Sequence, residues 1–176
     1  MPKYIFLLIL PLWLLSCYAD KSEVNGSVEA YVPVYSSMMD LRDIKIQDKK
    51  PTARAGKIYA WQNYIFQNDL FEGIHIIDNK DRNHPVKIGF LKLPLSTEIA
   101  IKGNFLYSNN YLDLVVFDIS NPARPSLVKR VENVFPVAVD QKYPSVRNAY
   151  FQCPEPGKGV IVRWEKKTIP VPKCRR

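Results

Sequence analysis

The chain has 176 residues, of which 47% are hydrophobic, and it carries a formal net charge of +8. From Cys153 onward seven Lys and Arg residues stand against two Glu, a balance of +5, so the rest of the chain is close to neutral. A nucleic-acid-binding protein is expected to carry a basic face within its folded body, and nucleic acid is therefore excluded as a partner. The basic C-terminal segment suits either a solvated end or contact with anionic lipid or polysaccharide headgroups.

The chain begins with a short apolar run, Ile5 to Leu15. A membrane-spanning helix needs about 20 apolar residues and a signal-peptide core roughly 7–15, so this run predicts export. It ends in Leu14-Leu15-Ser16-Cys17, which resembles the bacterial lipobox. The resemblance implies a signal peptide over residues 1–16 and diacylglycerol on Cys17. The alternative is a plain secretory signal that is cleaved at Ser16 or nearby.

The expected lipid determines the location of the protein. An acylated Cys17 would hold the chain on a membrane of the bacterial cell envelope, and several acyl chains together make such an anchor stable. Tyr18, which is not acidic, follows the cysteine. By resemblance to the enterobacterial sorting rule, we expect the protein at the outer membrane.

Residues 17–54 are expected to form a tether and an N-terminal extension. The first part is polar, as in a flexible linker. Glu29 to Tyr35 predicts a short strand, which Pro33 should confine to the edge of a sheet. Helical character follows near Met38 to Asp43, and regular structure is expected from about residue 55.

Two cysteines remain once Cys17 is acylated. Cys153 and Cys174 would form a pair in an oxidising compartment, where a disulfide is plausible. It would close a loop of about 20 residues and contribute roughly 3 kcal/mol through loop-closure entropy. The alternative is two free thiols, because a sequence does not show whether two Cβ atoms come within bonding distance.

A segment in the middle of the chain is repeated. Asp118 stands at the place of Asp78 (118 − 78 = 40), and Pro125 stands at the place of Pro85. These four positions are interpreted as structural, at strand ends and in turns rich in Asn, Asp and Pro. The predicted strands of the first unit, each with its counterpart in the second, are Lys57–Trp61 with Glu98–Lys102, Tyr64–Asn68 with Asn104–Ser108, Gly73–Asp78 with Asp113–Asp118, and Val86–Ile88 with Ser126–Val128.

A third, weaker copy follows the first two. Ala149–Gln152 is similar to the second strand of a unit, and Gly159–Trp164 is similar to the third. Four short strands per unit and a period near 40 residues are typical of propeller blades. The sequence therefore predicts an all-β, propeller-like repeat region over residues 55–176, with blades at about 55–94, 95–136 and 137–176.

The third strand of each unit is apolar on both faces. Such a strand is expected to be covered on both sides, so Val116 and Phe117 should lie between neighbouring blades. Closed propellers use roughly four to eight blades, and three cannot close a ring. Two exposed apolar faces are therefore expected, which would be covered by self-association or by further blades. A truncated remnant of a longer protein is the other reading.

The pieces GIHIID, LVVFDISNPARP and GVIVRW resemble the LVIVD repeat of bacterial envelope proteins. The resemblance covers roughly Tyr31 to the C-terminus and implies a propeller-like lipoprotein, as a short or truncated member of that family. Two departures are His75, which interrupts the apolar pattern, and the lack of further repeats after the third copy.

No motif predicts a reaction. Asp78 and Asp118 could supply oxygen ligands to calcium, but such residues more often bond their own turn amides. His75 and His84 lack further ligands for zinc. We therefore expect no cofactor, no metal and no catalytic site, in a binding or scaffolding module for an envelope protein or polysaccharide. The alternative is a propeller enzyme that acts on envelope glycans.

Overall fold

The computed structural model describes residues 26–176, so the predicted signal peptide and Cys17 lie outside the described part of the chain. Within that part the fold is all-β, with two short helices. The elements in chain order are β1 (Ser27–Ser36), α1 (Met38–Arg42), β2 (Lys45–Gln47), β3 (Ala55–Trp61), β4 (Tyr64–Asp69), β5 (Gly73–Asp78), β6 (Val86–Lys92), β7 (Ile99–Lys102), β8 (Phe105–Asn110), β9 (Asp113–Asp118), β10 (Ser126–Val131), α2 (Val139–Lys142), β11 (Tyr150–Phe151), β12 (Val160–Pro170) and β13 (Cys174–Arg175).

The first repeat unit forms sheet B, in the order β2-β6-β5-β4-β3. Strands β3 to β6 are antiparallel and consecutive, as the repeat predicts. The additional strand β2 pairs with the end of β6, where Lys45 lies opposite Lys92. All three residues of β2 are exposed, so its sequence carries no apolar pattern that would have predicted a strand.

The second unit forms sheet C, in the order β10-β9-β8-β7. The predicted correspondence of its second strand is wrong by one residue, because Tyr64 pairs with Asp78 whereas Phe105, and not Asn104, pairs with Asp118. The cause is the turn before the third strand, which has three residues in the first unit and two in the second. A shift of one residue exchanges the two faces of a strand, so the correction decides which side chains are equivalent.

Sheets B and C pack face to face and form the core. Directly opposed residues in antiparallel strands share a face, so the register places Ile74 and Ile76 of sheet B, and Val115 and Phe117 of sheet C, on the two facing surfaces. The core residues are Phe66, Ile74, Ile76, Leu91, Leu93, Ile99, Ile101, Leu106, Val115, Phe117 and Ile119. At one edge, the Trp61 Nε1–H donates to the Gly103 carbonyl at 2.7 Å.

Only one of the two residues that were expected between neighbouring units lies there. Phe117 faces sheet B and is 1% exposed. Val116 points to the opposite face of sheet C, because successive residues of a strand alternate. On that face Tyr107 lies opposite Val116, and Phe105 is 41% exposed. Val116 is nevertheless only 7% exposed, so β9 is buried on both faces as expected, although only Phe117 lies between sheets B and C.

The third sheet, sheet A, joins the N-terminal strand to the C-terminal region in the order β12-β1-β11-β13. Strand β1 pairs with β12 from Ser27 opposite Pro170 to Ser36 opposite Val160. It pairs in parallel with β11 at Tyr31, whose carbonyl accepts the Gln152 amide at 2.8 Å.

Two expectations for this region differ from the structure. The strands β11 and β12 occur where the third copy was expected, but they do not pair with each other, because β1 lies between them. Strand β1 is therefore an inner strand, although Pro33 predicted an edge. Strand β11 pairs with β1 only at Tyr31, so Pro33 lies outside that pairing and pairs only with Trp164 of β12. The missing N–H of Pro33 therefore interrupts no hydrogen bond between β1 and β11.

A disulfide between Cys153 and Cys174 fastens the end of sheet A. Their Cα atoms are 5.3 Å apart, and Cys174 lies opposite Phe151 in the β11–β13 pair. The Phe151 ring makes edge contacts with Tyr143 and Trp164 at centroid distances of 6.1 and 5.6 Å. In residues 26–176 neither helix has the length and apolar character needed to cross a membrane.

Candidate binding groove

A groove of about 680 Å³ lies between sheet A and sheet B. One wall consists of Tyr31 from β1 and Val162–Trp164 from β12. The facing wall consists of the β4–β5 turn, residues 70–72, together with Pro94 and Leu95. Helix α1 and the segment after α2 complete the lining, so the groove exists because sheet A packs beside sheet B without closing on it.

The β4–β5 turn places an aromatic side chain in the groove. Phe71 has a left-handed backbone with φ of 71°, and the Arg54 guanidinium lies 5.5 Å from its ring centroid. Its amide donates to the Ser96 carbonyl at 2.8 Å, and its carbonyl accepts the Leu95 amide at 2.9 Å. Tyr111, in the matching turn of the second unit, also has positive φ, so this conformation belongs to the repeat.

Charged side chains of both signs line the same groove. Arg54, Lys92 and Arg163 supply positive charge, and Asp40 and Glu72 supply negative charge. Several of these groups are already paired on the surface: Glu72 with Lys50 at 3.2 Å, Lys92 with Asp43 at 3.3 Å, and Arg163 with Glu165 at 2.6 Å. Exposed pairs of this kind contribute little to stability, so their groups can exchange partners at small cost.

An ion-pair network fixes helix α1 at the end of the groove. The buried carboxylate of Asp113 contacts Arg130 at 2.7 Å and Arg42 of α1 at 3.1 Å. The Asn133 amide donates to the same carboxylate at 3.1 Å. The amide and the two guanidinium groups lower the pKa of Asp113 against the opposing effect of its burial, so it carries negative charge over the neutral range.

A second polar cluster lies behind the facing wall of the groove, under the segment Asp48–Arg54, here called the strap. His75 is fully buried, and its Nε2 lies 3.1 Å from the Asp69 Oδ2. The carboxylate of Asp69 also accepts the strap amides of Ala53 and Arg54 at 2.9 and 2.6 Å. The side chain of His75 faces this polar strap and not the apolar face of another unit. A histidine can therefore occupy this position in a strand whose other residues are mostly apolar.

Lys87 holds the other side of the strap. Its Nζ donates to the Thr52 hydroxyl at 2.6 Å and to the Lys50 carbonyl at 3.2 Å. The Nδ1 of His75 is buried without a hydrogen-bond partner, as is the Oδ1 of Asn68, which pairs with Ile74 and lies on the other face of sheet B. The cluster is internal to sheet B and the strap, and it does not line the groove.

The repeated aspartates bond their own turns. Asp78 accepts the Lys80 amide at 2.9 Å, and Asp118 accepts the Ser120 amide at 2.7 Å. Pro85 is exposed and Pro125 is buried, each at the residue before the fourth strand of its unit. His84 contacts Asp81 at 2.9 Å on the surface, apart from His75. Within residues 26–176 no three His, Cys, Asp or Glu side chains lie together as a metal would require.

Sequence reasoning gave no signal for the groove. Its lining comes from segments as distant as Tyr31, Phe71 and Trp164; Trp164 ends the repeat piece GVIVRW, but no motif joins it to the other two. The aromatic residue at the β4–β5 turn was the one feature that the repeat could have marked, since Tyr111 occupies the matching turn. The Cys153–Cys174 disulfide, by contrast, was one of the two alternatives that the sequence left open, and the structure contains it.

Comparison with known proteins agrees with the repeat. Residues 96–133, which contain the whole of sheet C, match the LVIVD repeat. Neither a curated protein nor a solved structure matches the chain. The second unit of the chain therefore carries an LVIVD repeat.

Proposed function

We propose that the protein is a lipid-anchored, non-catalytic binding module of the bacterial cell envelope, and that its two four-stranded units are propeller-type blades in an incomplete ring. The observation that carries this proposal is the groove between sheets A and B, which combines aromatic and charged side chains. Binding sites are typically concave and largely apolar, with a few polar groups that orient the ligand.

The groove chemistry fits an envelope polysaccharide. Sugar rings have an apolar face, which can pack on the rings of Tyr31, Phe71 and Trp164, and a rim of hydroxyl groups. Arg54 and Lys92 can donate to those hydroxyl groups or to acidic substituents of the sugar. The proposed ligand is therefore a glycan segment that lies along the groove.

A titration of the purified full chain with envelope polysaccharide fragments tests this site. We expect Tyr31→Ala and Arg54→Ala to weaken binding at least about tenfold, the equivalent of roughly 1.4 kcal/mol. Phe105→Ala is the matched control, since Phe105 is 41% exposed and lies outside the groove. Absence of binding, or equal losses in the control and groove variants, would contradict the proposed site, provided that thermal unfolding shows all variants folded.

A second candidate function is glycan cleavage, because Asp40 and Glu72 both line the groove and glycosidases act through two carboxyl groups. Binding without turnover is favoured because the two carboxylates are held in separate contacts and share no hydrogen-bond partner. The Asp40 carboxylate accepts the Ser37 hydroxyl at 2.7 Å, and Glu72 pairs with Lys50. Release of reducing ends from the bound polysaccharide, lost in Glu72→Gln, would favour the enzyme instead.

The proposed anchor is tested separately at Cys17. The wild-type protein should incorporate labelled fatty acid. Cys17→Ala should lose the label and move to the soluble fraction, because a protein with one acyl chain or none binds a membrane only marginally. Cys153→Ala serves as the control, since Cys153 is in a disulfide and should not affect labelling. Unchanged labelling of Cys17→Ala would disprove the anchor.

A further inference from the structure

Sheets B and C present equivalent apolar faces, and only that of sheet B packs against another sheet in the core. In sheet B this face consists of Phe66, Ile74, Ile76 and Leu91, which are at most 2% exposed under sheet C. The corrected register assigns their equivalents in sheet C, which are Tyr107, Leu114, Val116 and Val131. With Phe105, which matches Tyr64, these four residues define the open face of sheet C.

The open face is accessible to a partner. Phe105 and Val131 on it are 41% and 38% exposed, Tyr107 and Leu114 are partly exposed, and Val116 at its centre is 7% exposed. Past β10 the chain carries a further exposed aromatic ring, Phe135, which is 38% exposed and whose amide donates to the Leu112 carbonyl at 2.9 Å. Apolar side chains that are exposed together on one face are typical of an interaction site.

The packing of the covered face of sheet B indicates which kind of partner surface can pack on the open face. Sheet B packs this face against another β-sheet, so a second sheet at the usual distance of about 10 Å is the cover that the repeat uses within this chain. A head-to-tail contact with a second copy would use the opposite face of sheet B. The strap occupies that face, where Lys87 and Asp69 hold Thr52, Ala53 and Arg54.

A second copy can instead offer its own open face. We propose that the open face of sheet C is a self-association surface, on which two copies pack the same face against each other about a two-fold axis. Two-fold interfaces are the most frequent in homo-oligomers and require only that a surface complement itself. Lys102 and Lys129 share the face with Asp118, so a two-fold arrangement can bring opposite charges together.

The area of the open face determines the affinity that we expect for the dimer. Four strands spaced by about 4.8 Å, with a rise of about 3.3 Å per residue, give a face of roughly 400 Å² per copy. Two copies would bury about 800 Å², less than the ~1,200–2,000 Å² of stable complexes. The dimer should therefore be in exchange with the monomer, and its formation should depend on concentration. The proposal does not depend on the groove or its ligand.

Sedimentation equilibrium of the full chain in density-matched detergent tests the proposal. The wild-type protein should shift from one to two copies with rising concentration, and Val131→Glu and Phe105→Glu should weaken this association at least tenfold. Val86→Glu and Met39→Glu are the controls, because Val86 and Met39 are 51% and 80% exposed away from the open face. Circular dichroism melting should show all four variants folded.

Three results would overturn the proposal. One is a wild-type protein that remains a monomer at every concentration, which would leave the face to a different protein. The second is a dimer that both open-face variants retain while folded. The third is a dimer that the control variants lose to the same extent as the open-face variants.

Discussion

At the scale of single residues, the most unusual group is the buried pair of His75 and Asp69. Burial lowers the pKa of His75, and the hydrogen bond to Asp69 only partly opposes this effect. Burial raises the pKa of Asp69, but the amides of Ala53 and Arg54 and the ring of His75 lower it further, so the net shift is downward. At neutral pH the pair is therefore a neutral imidazole that donates to a carboxylate.

This pair predicts a loss of stability in mild acid. Because the pKa of His75 is lower in the folded than in the unfolded chain, the unfolded chain binds more protons once the pH falls below about 6.5. The free energy of unfolding should therefore decrease as the pH falls from about 6.5 towards the lower pKa of the folded state. Asp69 adds a further loss below about pH 4, where the unfolded carboxyl takes up its proton first.

His75→Gln should remove the part of the slope below about pH 6.5 that His75 causes, while it keeps a donor for Asp69. His84→Gln is the control, since the His84 side chain is 82% exposed. Urea unfolding at a series of pH values measures both variants. A His75→Gln protein that keeps the wild-type slope would show that another group causes it.

At the scale of elements, the repeat made sheets B and C predictable. Their strands are consecutive, so local patterns of apolar residues and turns were enough to locate β5 and β9 at their observed ends. The one-residue error in β8 arose from a turn that is shorter by one residue, which no local pattern records. Sheet A could not be predicted, because β1 meets β12 only through long-range pairing.

The contact between sheets B and C predicts a large loss of stability when Phe117 is replaced. This ring is 1% exposed within the core, and Phe117→Ala should destabilise the protein by about 3–5 kcal/mol through lost burial and a cavity. Phe105→Ala removes the same ring from the open face, where it is 41% exposed, and should cost much less. Chemical denaturation of both variants measures the difference, and similar costs would mean that the sheets do not share this core.

The disulfide predicts a weakening of sheet A. Cys153 and Cys174 are 21 residues apart in sequence, and loss of their bond should cost roughly 3 kcal/mol through loop-closure entropy. Cys153→Ala with Cys174→Ala should unfold at lower denaturant, and reductant should have the same effect on the wild-type protein but none on the double variant. Trp164 fluorescence, with Trp61 in sheet B for comparison, reports whether sheet A unfolds first.

At the scale of the whole molecule, the groove depends on an arrangement that composition and repeats do not encode. The repeat predicts three blades from residue 55 onward, whereas the groove requires a third sheet that includes the N-terminal strand β1 and is made from both ends of the described chain. Its lining residues are separated by most of the sequence, so no spacing between them could have been recognised. The sequence could thus predict the repeat and its strands, but not the surface to which we assign binding.

The pairing of β1 with β12 also has a consequence for the order of folding. Sheets B and C consist of neighbouring strands and can form while the chain is still emerging, but β1 must wait for Phe151 and for β12 before its ladders can form. Until then β1 is an unpaired apolar strand next to the N-terminal segment, which is the kind of segment that aggregates or binds a chaperone. The amide of Val171 finally donates to the Gly26 carbonyl at 3.2 Å, so synthesis of nearly the whole chain must precede the closing of its first strand.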